Sequence, residues 1–224
     1  MGIAENITSL RKAIPQNVEI IAVSKTRPVT DLLTAYNAGQ RAFGENKVQE
    51  IIQKQPLMPD DVEWHMIGHL QSNKIKYIIS RIHLIHSVDS LKLLVDINRE
   101  AAKINRIVDC LLQIHIASEE SKFGLSFDEA SSLLNSDEYK KASHIRIRGL
   151  MGMATFTDDE IQVRQEFDQL ASFFKVIREK WFTTNTMFSE LSMGMSGDYK
   201  LAIDAGSTMV RIGTSIFGER NYNL

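Results

Sequence analysis

Short apolar runs alternate along the chain with longer segments whose apolar positions recur at helical spacing. The run at 18–24, VEIIAVS, is β-branched and almost wholly apolar, which is typical of a strand buried on both faces. The segment after it, 28–38, has apolar residues at helical spacing and is followed by Gly39, a common helix stop. This order recurs and predicts parallel strands joined by helices.

The pattern predicts eight strands and eight helices. The strands lie at 18–24, 41–44, 63–68, 83–88, 107–116, 145–151, 188–192 and 209–212. The helices lie at 3–14, 28–38, 46–55, 73–80, 91–104, 126–135, 161–181 and 199–205, so every strand except the last is followed by one. A doubly wound sheet has the same local pattern, but the count of eight favours a (β/α)8 barrel, the TIM barrel. With four prolines and no Gly/Ser-rich linker, we expect residues 1–224 to form a single domain.

Composition excludes several classes of protein. The chain has 26 lysines and arginines against 28 aspartates and glutamates, so no basic excess indicates nucleic acid or a membrane surface as partner. No stretch approaches the roughly 18 apolar residues of a membrane span. One cysteine, Cys110, leaves no intrachain disulfide and favours a reducing compartment. We expect a cytoplasmic protein and, because no apolar helix face demands a partner, a monomer.

Candidate chemistry is sought at the carboxyl ends of the strands, where barrels carry their sites. Lys25 directly follows the first strand, and desolvation there would lower the pKa of its amine and make it nucleophilic toward carbonyls. The alternative is a strand-end lysine that reaches solvent. Asn46 follows the second strand and either donates to an anion or caps the next helix.

Two turns of small residues follow the seventh and eighth strands. The first contains Ser196 and Gly197, and the second contains Gly213 and Thr214. Small residues let backbone N–H groups approach an anion, and barrels commonly bind phosphate at this position. Simple glycine turns are the alternative. Together with Lys25, the turns suggest a phosphorylated aldehyde: pyridoxal phosphate held by a lysine, or a phosphosugar in an aldolase.

The histidines do not show a metal-binding spacing. His65 and His69 are four apart, but they fall on a strand and a turn, where they would not share a face. No HExxH motif is present, and the spacing of His83 and His86 does not indicate a metal site either. We therefore expect no metal site.

Seven motifs, in order along the chain, resemble those of the pyridoxal phosphate homeostasis proteins, single-domain relatives of the alanine racemase barrel. They are IAVSKTR at 21–27, FGENKVQE at 43–50, WHMIGHLQSNK at 64–74, SKFG at 121–124, RGLMGM at 148–153, LSMGMSGD at 191–198 and AGSTMVRIGTSIFG at 205–218.

The resemblance implies a PLP fold-type III barrel, like the alanine racemase N-terminal domain, with pyridoxal 5'-phosphate (PLP) at its mouth. Lys25 matches the lysine that forms the covalent aldimine with PLP, and Arg211 matches the arginine that faces the pyridine nitrogen. The other cofactor-binding positions that it implies are Asn46 near the ring hydroxyl, Met66 against the ring, Ser196 and Gly197 in the first phosphate turn, and Gly213 and Thr214 in the second.

The same resemblance implies a non-catalytic protein of PLP homeostasis, which buffers the cofactor and delivers it to PLP-dependent apoenzymes. A protonated arginine beside the ring nitrogen makes the ring a poor electron sink, which favours holding the cofactor, or modest proton transfer, over transamination. A PLP-dependent amino-acid racemase is the alternative, although alanine racemase takes a catalytic tyrosine from a second domain; Tyr222 has no such placement in the sequence. Lys122 is a second amine expected at the same mouth, with a hypothetical role in cofactor release.

Overall fold

The computed structural model describes residues 2–119 and 123–219. Eight parallel strands form a closed barrel in chain order, with the last strand paired to the first, so the predicted barrel and the strand count are confirmed. The strands are β1 (Glu19–Val23), β2 (Ala42–Glu45), β3 (Glu63–Met66), β4 (Ile82–Val88), β5 (Val108–Ile114), β6 (Ile145–Gly152), β7 (Glu190–Met195) and β8 (Met209–Ile212).

Helices surround the barrel and connect its strands. They are α1 (Ile3–Ala13), α2 (Val29–Asn37), α3 (Val48–Lys54), α4 (Leu91–Ala102), α5 (Phe127–Asn135), α6 (Asp137–Lys140), α7 (Glu160–Trp181), α8 (Tyr199–Asp204) and α9 (Thr214–Phe217). In the described part of the chain, none of them is both long and apolar enough to span a bilayer.

The helices differ from the prediction in several connections; one difference is the additional helix α6, Asp137–Lys140, between β5 and β6. The segment predicted as a helix at 73–80 forms a 3₁₀ helix, Ser72–Tyr77, and then a turn, although Ile75, Ile78 and Ile79 are buried at helical spacing. The last strand is followed by a helix after all. This helix, Thr214–Phe217, has four residues, which is too short to show a helical period in the sequence.

The barrel interior has an apolar layer and a polar one. Leu84, Leu111, Met151 and Met209 form a separate buried cluster, since alternate residues of a strand face the same side. A buried hydrogen-bond chain runs beside this cluster. His65 Nδ1 lies 2.9 Å from His86 Nε2, and His86 Nδ1 lies 3.0 Å from Ser192 Oγ, which in turn accepts from Arg211. The chain leads from β3 to the carboxyl end of β8.

Candidate functional site

A cavity of about 550 Å³ opens at the carboxyl ends of the strands. Its volume is within the usual range of small-molecule sites. Seven of the eight predicted site residues line it: Lys25, Asn46, Ser196, Gly197, Arg211, Gly213 and Thr214. They come from the ends of β7, β8, β1 and β2, which are neighbours in the barrel, so the structure brings these residues together.

Met66 is the predicted residue that does not line the cavity. Its side chain is buried in the core cluster together with Trp64, two residues before it on the same face of β3. The following residue, Ile67, lines the cavity. The resemblance implies apolar contacts to the ring from the strand that contains Met66 and Ile67, and of these two residues Ile67 is the one at the cavity.

The backbone on both sides of Lys25 is held by three charged side chains, Glu45, Glu50 and Lys54, which we call the lysine clamp. Ser24 Oγ donates to Glu45 Oε1 at 2.6 Å, and the backbone N–H of Thr26 donates to Glu50 Oε2 at 2.6 Å. Lys54 Nζ donates to both carboxylates and to the carbonyl of Ser24, at 2.7–2.8 Å. The clamp fixes the direction in which Lys25 leaves the strand.

The lysine clamp holds an unusual backbone and an unusual acid. Thr26 has a φ of +64°, a left-handed conformation that is strained for a β-branched residue. Glu45 is fully buried, and this burial raises its pKa to about 7 although Lys54 and Ser24 stabilise the carboxylate. The segment around Lys25 therefore depends on charged groups that are buried with their partners.

The two small-residue turns, with Ser196, Gly197, Gly213 and Thr214, form what we call the glycine side. Ser196 Oγ accepts from the backbone N–H of Gly213 at 3.2 Å and of Ser215 at 3.4 Å, so one hydroxyl ties the turns together. A Cβ added at Gly197 would meet nothing within 4 Å. The turn therefore faces open space, as a phosphate site requires.

Arg211 brings a buried positive charge to the cavity. Its guanidinium donates to Ser192 O and Oγ at 2.8 and 2.6 Å and to Gly152 O at 2.9 Å. Burial lowers its pKa to about 10, so it remains a cation at neutral pH. Across 2–119 and 123–219 it makes no ion pair with a carboxylate. An anionic ligand in this cavity would offset that charge.

Asn46 is available to a ligand because it does not cap a helix. Helix α3 has Lys47 as its N-cap, without a side-chain cap bond. The backbone of Asn46 is in close contact with Gly68, where an added Cβ would lie 2.5 Å from the carbonyl oxygen of Asn46. Only glycine allows the β2 and β3 ends to approach so closely.

Sequence reasoning did not identify two groups of residues at the site. One is the lysine clamp, whose acids lie inside the FGENKVQE motif and could have been noted as carboxylates following a buried strand. The other is the aromatic rim of His69, Phe123 and Phe156; the rings of His69 and Phe123 stack with centroids 5.0 Å apart. Lys122 and Tyr222 lie outside the described residues.

Comparisons with known proteins agree with the geometry. A family model described as "Alanine racemase, N-terminal domain" matches residues 2–221. A curated Pyridoxal phosphate homeostasis protein from Pasteurella multocida is 40% identical over 211 residues, which cover 92% of this chain and 88% of that protein.

Solved structures of PipY from Synechococcus elongatus are also similar over nearly the whole chain. The form without PLP has a TM-score of 0.90 at 37% identity, and the form with PLP bound has a TM-score of 0.87 at 36% identity. Each covers 96% of this chain and 100% of that chain. The chain belongs to the alanine racemase N-terminal domain family and, within it, to the pyridoxal phosphate homeostasis proteins.

Proposed function

We propose that this protein binds PLP in the mouth cavity, attached covalently to Lys25, and serves in PLP homeostasis. The observation that carries the proposal is the arrangement around one cavity of an amine, two small-residue turns and a buried cation without a carboxylate partner among the described residues. The names of the curated relatives and the PLP-bound form of PipY support it.

The residues present fit the cofactor. PLP supplies an aldehyde that an amine attacks reversibly, and Lys25 is the amine at the cavity. The N–H groups and hydroxyls of the glycine side would hold the phosphate, and Asn46 would lie near the ring hydroxyl. The role of Met66 against the ring remains a prediction, since its side chain points into the core.

Arg211 supports a cofactor carrier rather than a transaminase. A guanidinium that stays protonated discourages protonation of a pyridine nitrogen beside it, and an unprotonated ring stabilises carbanions poorly. The names of the curated relatives likewise describe homeostasis and not a reaction. Racemisation of an amino acid is the alternative outcome that the test below must exclude.

Delivery of PLP to apoenzymes is the finer part of the proposal. The rim of the cavity exposes aromatic side chains: Phe156 is 94% exposed and Phe123 is 61% exposed. Exposed aromatic groups are typical of protein interfaces. Phe156→Ser should slow cofactor transfer to an apoenzyme without changing PLP retention, and equal transfer rates would remove this support. We further propose a cytoplasmic, single-domain monomer.

The test is the visible absorption spectrum of the purified protein with and without added PLP. We expect the band of covalently held cofactor in the wild type and in Lys47→Ala, an exposed lysine of the same region, and its absence in Lys25→Ala. Equal bands in all three proteins would contradict the assignment of Lys25. Interconversion of alanine enantiomers that disappears in Lys25→Ala would instead establish the racemase.

A further inference from the structure

The amino ends of the strands, which we call the barrel floor, bring together two histidines and a carboxylate. Glu63, His65 and His83 each offer a ligand atom, and these atoms all lie within 4.8 Å of one another. Glu63 and His65 share one face of β3, and His83 comes from the neighbouring β4. We propose that these three residues bind a divalent transition metal, with Zn²⁺ as the fitting ion.

His65 is the observation that points to a ligand. It is fully buried, and its Nδ1 is hydrogen-bonded to His86 at 2.9 Å. Its other ring nitrogen, Nε2, is buried without a hydrogen-bond partner among the residues that the structure describes. Leaving a buried polar atom unsatisfied is destabilising, so the site is incomplete without a group at Nε2.

The hydrogen-bond partner of His65 Nδ1 is of the kind that a metal-bound histidine needs. Metal-bound histidines donate their second N–H to an acceptor, which fixes the tautomer and the ring direction. His86 Nε2 can accept that proton from His65 Nδ1, and the opposite side of the His86 ring is held by Ser192 at 3.0 Å. The outer shell of the proposed site is therefore already present.

The charge of the floor favours a cation. Glu63 forms no ion pair within the described ranges, whereas Glu190 is balanced by Arg148 at 3.2 Å. Glu63 also lines a cleft of about 490 Å³, and His83 is exposed, so an ion can reach the cluster from solvent. Zinc ligands with bonds of about 2.0–2.2 Å lie roughly 3.3–3.6 Å apart, and the exposed His83 can make the small closing movement.

The donor set selects the metal. Two imidazoles and one carboxylate are typical zinc ligands, whereas Mg²⁺ and Ca²⁺ prefer oxygen atoms alone. Three protein ligands leave one position for water. The histidine spacing in the sequence gave no indication of this site, because its ligands come from two strands whose register shifts between Trp64 and His65.

The test is a Zn²⁺ titration of the full-length, chelator-treated protein against a chromophoric competitor, without added PLP. We expect one equivalent in the wild type and binding at least about 100-fold weaker in His83→Ala and Glu63→Gln, because losing a ligand costs more than the roughly 10–100-fold loss caused by an outer-shell partner. His144→Ala, at the residue just before β6, is the matched control and should bind as the wild type does.

A second measurement reports the ring nitrogens directly. Nitrogen-15 NMR should show Zn²⁺ at Nε2 of His65 with the proton on Nδ1. Wild-type affinity in His83→Ala, loss of binding in His144→Ala, or an unchanged His65 ring on Zn²⁺ addition would each overturn the proposal. None of these readouts involves Lys25, so they remain valid whether or not PLP binds at the mouth.

Discussion

The lysine clamp and the glycine side are neighbouring parts of one mouth that are built in different ways. The clamp reaches from α3 to the end of β1 through buried charged side chains, with Lys54 donating at 2.7–2.8 Å to two carboxylates. The glycine side uses neutral groups: one hydroxyl, Ser196 Oγ, accepts two backbone N–H groups at 3.2 and 3.4 Å.

This difference should appear in stability and in pH dependence. Removing one member of a buried charged group leaves the others without a partner, which costs several kcal/mol. Removing one neutral hydrogen bond costs about 1 kcal/mol. A reactive lysine held by charges is thus fixed firmly, while the turns that receive an anion keep their N–H groups available to it.

The largest effect is expected for Lys54→Met. Lys54 is 7% exposed and neutralises Glu45, which is fully buried. Loss of the ammonium should lower the free energy of unfolding by about 3–5 kcal/mol. Urea denaturation measures this loss of stability. The control is Lys47→Met, which replaces an exposed lysine on the same segment and should stay within about 0.5 kcal/mol of the wild type. Equal stabilities of the two variants would mean that the clamp does not hold this side together.

The second prediction concerns pH. Burial raises the pKa of Glu45 to about 7 in the folded state, from 4.5. The folded protein therefore keeps this proton when the unfolded chain has lost it, and stability decreases as pH rises from about 4.5 to about 7, by about 3 kcal/mol at most. Glu45→Gln removes this dependence, so its stability relative to wild type should improve between pH 5 and pH 8.

Glu50→Gln is a control whose effect on the pH dependence of stability should have the opposite sign. Burial raises the pKa of Glu50, but the hydrogen bonds from Lys54 and from the Thr26 N–H outweigh burial, and the net pKa is lowered. Its stabilising effect is present above its unfolded pKa and is lost as pH falls. Stability curves of the two variants should therefore diverge from wild type in opposite directions, and parallel curves would contradict this description of the clamp.

The fold could be predicted because it depends on local patterns. Each strand is a short apolar run, and the number and order of these runs suffice to predict the barrel. The eighth strand, Met209–Ile212, was predicted at its observed bounds. The connections were less predictable. The segment at 73–80 has a helical period but forms only the 3₁₀ helix Ser72–Tyr77, and the four-residue helix Thr214–Phe217 has too few periodic positions to be distinguished from a turn.

The candidate site could be predicted only where its residues follow strands directly. Lys25, Ser196 and Gly213 come just after a strand, so the barrel rule places them at the mouth. Lys54 sits at the far end of α3 and reaches back to Ser24, a contact that depends on how the helix packs. Ile67 lines the cavity in place of Met66, because the alternation along β3 turns Met66 toward the helices.

A pair of glycine substitutions compares the two sides directly. Gly68→Ala places a Cβ 2.5 Å from the backbone oxygen of Asn46, so it should destabilise the protein by about 1–3 kcal/mol and weaken PLP binding. Gly197→Ala meets nothing within 4 Å, so stability should stay within about 0.5 kcal/mol while PLP binding weakens, since the methyl group enters the cavity. Thermal unfolding and cofactor titration separate the two effects. Retained PLP binding in Gly197→Ala would mean that the phosphate does not approach this turn.

The smallest effect is expected for Ser196→Ala. The variant loses the acceptor that joins the Gly213 and Ser215 N–H groups, and because solvent can replace part of this contact the free energy of unfolding should fall by about 1 kcal/mol. Affinity for inorganic phosphate and for PLP should fall with it, measured by calorimetry. Ser196→Thr keeps the hydroxyl and should restore both. A loss as large as that of Lys54→Met would show that the glycine side is as dependent on one group as the lysine clamp, and the contrast between the two sides would not hold.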